Sequence, residues 1–124
     1  MGNPLYNWDK MEKNDYKWYI NRLGAAGKLF DVIRIDHFRG LESYYSVPAN
    51  QTTAKNGKWI KGPDMKLINA IKKYLPNIEF IAEDLGYLTP EVIAMKQGSG
   101  FPLMKILEFA FDKDNSLDLP HNHE

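Results

Sequence analysis

Phe30-Asp31-Val32-Ile33-Arg34-Ile35-Asp36-His37-Phe38-Arg39-Gly40 is an apolar, β-branched run that breaks off into arginine, aspartate and histidine. β-Branched residues suit a half-buried pleated surface, so the run reads as a buried strand that delivers charge at its end. Strand side chains alternate, which puts Arg34 and Asp36 on one face and Ile33 and Ile35 on the other. A cation beside an acid favours the ionised form, and that is the form in which a carboxylate acts as a nucleophile. The same spacing also describes an ordinary structural ion pair, and spacing alone leaves both readings open.

A second run, Ile78-Glu79-Phe80-Ile81-Ala82-Glu83-Asp84-Leu85-Gly86, has the same construction: a short apolar segment closed by acids and a glycine. Between the two, Leu67, Ile68, Ile71, Tyr74 and Leu75 recur at helical spacing after Gly62-Pro63-Asp64, which suits a helix start. The order strand, helix, strand predicts an α/β fold with parallel pairing and a right-handed crossover. Both acidic ends then emerge at one carboxyl edge of the sheet, the edge that carries the active site in α/β barrels. Two carboxylates there suit glycosidic bond chemistry as nucleophile and general acid/base. Asp84 falls on the opposite strand face from Glu83 and is assigned no chemistry.

Working outward, residues 1–13 read as a loop rich in Asn, Pro, Tyr and Trp, and a helix is expected from Asn14 or Asp15. Tyr16, Tyr19, Ile20, Leu23, Gly27 and Phe30 share its inner face. Gly24 and Gly27 each weaken such a helix by about 1 kcal/mol relative to alanine, so an early stop or close packing is expected there. Residues 41–61 form a connection longer than the usual ~2–6 residues. Its Tyr44, Tyr45 and Trp59 either stack on sugar rings or make a small core of their own. Thr89-Pro90-Glu91-Val92 predicts a short helix, with threonine capping, proline first and glutamate complementing the dipole. Leu103 to Phe111 reads as a third strand, at whose end Phe109 or Asp112 reaches the acceptor side of a substrate or serves the fold alone. The tail, residues 113–124, is expected to be mobile. Its His121 and His123 lack a third ligand, so no metal site is expected.

Sixteen basic residues balance sixteen acidic ones. No basic field therefore argues for nucleic acid or an anionic membrane, and a neutral, sugar-like partner fits better. There are no cysteines, which excludes disulfides and thiolate metal sites. No leader-like segment and no run near the ~20 apolar residues of a membrane span are seen, so a cytoplasmic protein is expected. At 124 residues the chain is about half of what a closed eight-stranded barrel needs. It is expected to be one piece of a single domain, and no cofactor is expected.

The motifs that carry a resemblance are Gly2-Asn3-Pro4-Leu5-Tyr6, Arg34 to Gly40, Gly57-Lys58-Trp59 with Gly62-Pro63, and Ala82-Glu83-Asp84-Leu85-Gly86. In their order and spacing the chain resembles the amylomaltases, 4-α-glucanotransferases of the wider α-amylase superfamily. The resemblance implies a partial (β/α)8 barrel, about three strand-helix units acting on α-1,4-glucans with glucose or maltodextrin as acceptor. It further implies Asp36 as nucleophile and Glu83 as acid/base, with Arg34 and His37 contacting the sugar at the cleavage site. Trp59 and Phe109 are taken as further substrate contacts. The family's third catalytic acid, in a Thr-His-Asp-Asn motif, is not in this chain, so a non-catalytic glucan-binding piece is a rival reading, as is a retaining hydrolase. Leu103 stands where the family has glycine, which predicts a strained or altered loop.

Overall fold

A computed structural model of the chain describes residues 3–83 and 88–105, and its first element is a helix inside the expected loop. Helix α1, Trp8–Glu12, is one turn capped by Asn7, whose side-chain oxygen accepts from Lys10 N at 2.9 Å. Helix α2, Lys17–Ala26, begins later than the periodicity predicts. Asp15 and Tyr16 both sit in the left-handed region, φ 56° and 57°, so the helix can only start after them. Its C-cap is Gly27, the early stop that the glycines predict.

Strand β1 is Val32–Ile35, followed by a 3-10 turn over Phe38–Leu41. Next comes an antiparallel hairpin of β2, Ser43–Ser46, and β3, Lys58–Lys61, with Tyr45 opposite Trp59. Much of the long connection over residues 41–61 is therefore regular structure. Its aromatic residues, Tyr44, Tyr45 and Trp59, lie in two four-residue runs on either side of a largely polar middle, the pattern of a long-looped hairpin. Helix α3, Asp64–Tyr74, leads back to β4, Glu79–Ala82. Helix α4, Pro90–Ser99, starts as expected, with Thr89 Oγ1 accepting from Val92 N at 3.3 Å and proline in the first turn.

β1 and β4 pair in parallel, Val32 with Glu79 through Ile35 with Ala82, so the expected strand-helix-strand unit is present and the fold is α/β. The ladder continues at Leu103, which bridges Ala82 in parallel; Ala82 N donates to Pro102 O and Met104 N to Ala82 O, both at 2.9 Å. A third strand thus opens where expected, and its continuation from residue 106 lies outside the described residues, as do Phe109, Asp112 and the tail 113–124. Leu103 is not among the residues with positive φ, so the strain expected at this former glycine position does not arise. Pairing with Ala82 holds the backbone extended there, a conformation any residue adopts.

One face of the sheet is packed and the other is open. Ile35, Phe80 and Ala82 join a core with Leu67, Ile68 and Ile71 of α3, Met95 of α4, Ile20 and Leu23 of α2, and Phe38 and Leu41 of the turn. On the opposite face Val32 is 42% exposed, and Phe30, just before the strand, is 62% exposed. Among the described residues no helix is long and apolar enough to cross a membrane.

Candidate active site

The open face is the one that carries Arg34 and Asp36. Their alternation with Ile33 and Ile35 is the predicted one, and the guanidinium lies 3.2 Å from the Asp36 carboxylate. Arg34 and Asp36 side chains are 55% and 74% exposed, so the pair contributes no more than about 0–1 kcal/mol of stability. Its physical effect is to orient the carboxylate. Arg34 is braced in turn by Met104 of the next segment, Nη1 to Sδ 3.7 Å.

Glu83 follows β4 directly. Its N–H donates to Ile35 O at 2.9 Å, and its carbonyl accepts from Phe38 N at 2.8 Å. The first bond continues the β1–β4 ladder past Ile35 and Ala82, and the second, to Phe38 rather than His37, shows the chain turning away there, so Asp36 and Glu83 stand at the two strand ends. Unlike Asp36, Glu83 is about nine-tenths buried.

His37 is what ties the two strand ends together. Its backbone is left-handed, φ 50° and ψ 48°, which for a residue with a side chain costs about 1–2 kcal/mol. That turn aims its N–H at the Glu83 carboxylate, which accepts at 2.5 Å. Backbone strain of this kind clusters at functional sites, where surrounding contacts hold it in place. A Cβ on Gly40 would lie 2.7 Å from His37 Cδ2, so the imidazole lies over Gly40 only because that residue is glycine.

Asp36, Glu83, Arg34 and His37 are therefore brought together at one sheet edge, while Trp59 sits on the hairpin. Its ring is 60% exposed, with Tyr45 against it at 5.6 Å between centroids and the Arg39 guanidinium 4.9 Å from its centroid. Tyr45 and Trp59 pack on each other, as the small-core reading expects, and Trp59 nonetheless stays 60% exposed. Sequence reasoning missed Arg39, which is buried although it lies in the quoted motif. The available signal was a second arginine in a 3-10 turn that begins in an apolar residue. Phe109, Asp84, His121 and His123 lie outside the described residues. Among those described, no three His, Cys, Asp or Glu side chains converge to hold a metal ion.

A family model described as 4-alpha-glucanotransferase, of glycoside hydrolase family 77, matches residues 2–124. The chain is 55% identical over 124 residues to the 4-alpha-glucanotransferase of Clostridium butyricum, covering 99% of this chain and 26% of that protein. To the chloroplastic/amyloplastic 4-alpha-glucanotransferase of Arabidopsis thaliana it is 45% identical, covering 99% of this chain and 22% of the other. Among solved structures, the amylomaltase of Streptococcus agalactiae in complex with acarbose superposes with a TM-score of 0.91 at 41% identity, covering 99% of this chain and 25% of that one. The chain thus spans about a quarter of the length of the relatives it matches.

Proposed function

This chain belongs to the 4-alpha-glucanotransferase family, glycoside hydrolase family 77, and from that premise we propose that it is the segment of a (β/α)8 barrel that supplies the nucleophile and the acid/base for retaining transfer of α-1,4-glucans. The observation that carries the reading is that Asp36 and Glu83 directly follow Ile35 and Ala82, the last paired residues of two adjacent parallel strands, with Glu83 N donating to Ile35 O. Such strands lie about 4.8 Å apart, which suits the ~5 Å carboxyl separation of retaining enzymes better than the wider gap of inverting ones. The open sheet face supports the barrel: it exposes Val32 at 42% beside the charged Arg34 and Asp36, as a strand does where its apolar start is covered by further strands and its polar end opens on a site.

In the proposed reaction Asp36 attacks the anomeric carbon of the donor glucan while Glu83 gives its proton to the departing glycosidic oxygen. The bond to the leaving sugar breaks as the ester to Asp36 forms. Glu83, now ionised, takes the proton from a hydroxyl of glucose or a maltodextrin, whose oxygen displaces Asp36, and the configuration is retained. Arg34 orients the nucleophile, and His37 meets the sugar at the cleavage site. Phe109 is the proposed acceptor-side contact. A cytoplasmic location remains part of this reading for a bacterial source, although one relative is named for a plastid.

The test is peptide mass spectrometry on the complete enzyme containing this segment, after reaction with a fluorinated α-glucosyl donor that accumulates the covalent intermediate. A glycosyl label on the peptide containing Asp36, and loss of disproportionation in Asp36→Asn, are expected. A label on Glu83, or full activity in Asp36→Asn, ends the assignment.

A further inference from the structure

Arg39 is 8% exposed, and its Nε has no hydrogen-bond partner among the described residues. None of the ion pairs among those residues includes it. Taking a cation out of water is costly unless something replaces the hydration, and here the replacement is an aromatic face, the Trp59 indole 4.9 Å from the guanidinium carbon. Tyr45 meets the same indole at 67° and 5.6 Å, and its hydroxyl is fixed by donating to Ala54 O at 2.7 Å. The indole is thus gripped by a cation and by an aromatic ring while it stays 60% exposed.

A large apolar ring that is both held rigid and left open is a binding plate with its ordering entropy already spent. The occupant it fits is neutral: the guanidinium already uses the indole's attraction for cations. A pyranose ring presents an apolar C–H face without charge. Arg39 also lies in the 3-10 turn that starts from His37, the residue whose N–H is bonded to Glu83. One short turn therefore fixes both the plate and the carboxylate that moves the proton.

We propose that Arg39 is a positioning residue, which holds Trp59 as the stacking plate for one glucose ring of the bound glucan. The proposal rests on the glucanotransferase reading for the identity of the ring. In the complete enzyme, Arg39→Met is expected to raise KM for maltotriose about tenfold with kcat changed less than about twofold. Arg39→Lys should restore most of the loss, since an ammonium also rides on an indole face. In a Trp59→Ala background the same Arg39→Met change should add nothing. An equal loss with and without Trp59, or a loss confined to kcat, overturns the proposal. Where Arg39→Met does not fold, Arg39→Lys and Trp59→Ala carry the test, and wild-type KM in both overturns it. Should the wild-type enzyme transfer no glucan, the functional reading falls separately. Fluorine NMR of the complete enzyme labelled with 5-fluorotryptophan, its Trp59 signal assigned by loss in Trp59→Phe, then decides whether Arg39 holds the ring: a shifted or narrowed Trp59 signal in Arg39→Met supports it, and an unchanged one overturns it.

Discussion

Replacing Glu83 by alanine is expected to free the backbone amide of His37, and the size of the effect at that amide follows from the bond it loses. The His37 N–H donates to the Glu83 carboxyl group at 2.5 Å, and a typical intramolecular hydrogen bond is worth about 0.5–1.5 kcal/mol. The turn it holds is left-handed at φ 50°, so without the bond the chain relaxes toward an ordinary conformation. At about 1.4 kcal/mol per decade, amide exchange at His37 should speed up about 2- to 10-fold. Global stability should fall by much less, because deleting a nearly buried carboxylate also relieves its desolvation. Glu83→Gln retains a neutral oxygen acceptor and should fall between wild type and alanine in exchange rate. Residue-resolved hydrogen exchange by NMR, with urea melts of the same variants, reads both quantities. An unchanged His37 rate in Glu83→Ala would refute the argument, because the strained turn would then be held by something other than this carboxylate.

In the complete enzyme, Glu83→Gln should slow transfer from maltotriose by several orders of magnitude while sparing donors with a good leaving group in the first step; equal loss across a leaving-group series would give Glu83 another role. Arg34→Lys should lower kcat measurably, since a flat two-pronged donor becomes a point charge beside Asp36, and an unchanged kcat would remove Arg34 from the site. A Cβ on Gly62 would stand 2.2 Å from the backbone oxygen of Leu41, which cannot swing away, so Gly62→Ala should destabilise the fold by about 1–3 kcal/mol in urea melts. Asp15 accepts from Tyr74 and Lys73, in that order of effect, which holds its folded-state pKa below 3.8. Its contribution is therefore complete above 3.8 and is lost as pH falls through the lower folded value. Asp15→Asn, which tolerates the left-handed φ of 56°, should melt below wild type at pH 6 and converge with it in acid.

The sheet was legible because its signals are local. Period-two alternation in Val32–Ile35 and Glu79–Ala82 fixes which residues face the helices, and one helical pattern between them fixes the parallel pairing. Where the sequence reading slipped, the cause lay outside local propensity. The start of α2 moved because Asp15 adopts a left-handed backbone while its side chain accepts from Tyr74, about sixty residues away, and helical spacing carries no information about such a tie. Leu103 escaped the expected strain because a strand neighbour, Ala82, supplies its pairing.

For the site, a motif reading returns residue types and their faces, and so the placement of Arg34, Asp36 and Glu83 at the strand ends was legible from spacing. What it cannot return is the job of a residue whose partner is remote. His37 reads in sequence as a side chain for sugar, yet its backbone amide is what meets Glu83, and Arg39 reads as one more charge until its place beneath Trp59 is seen. Both facts depend on the turn Phe38–Leu41 folding back beside β4. The motif around Asp36 thus encodes two things at once: a strand that presents a carboxylate beside Arg34, and a turn whose approach, His37, is bonded to the Glu83 side chain and whose Arg39 lies against Trp59. Changes in this segment should therefore separate: Arg39→Met should act on KM by way of Trp59, whereas loss of the His37 bond to Glu83 should act on kcat.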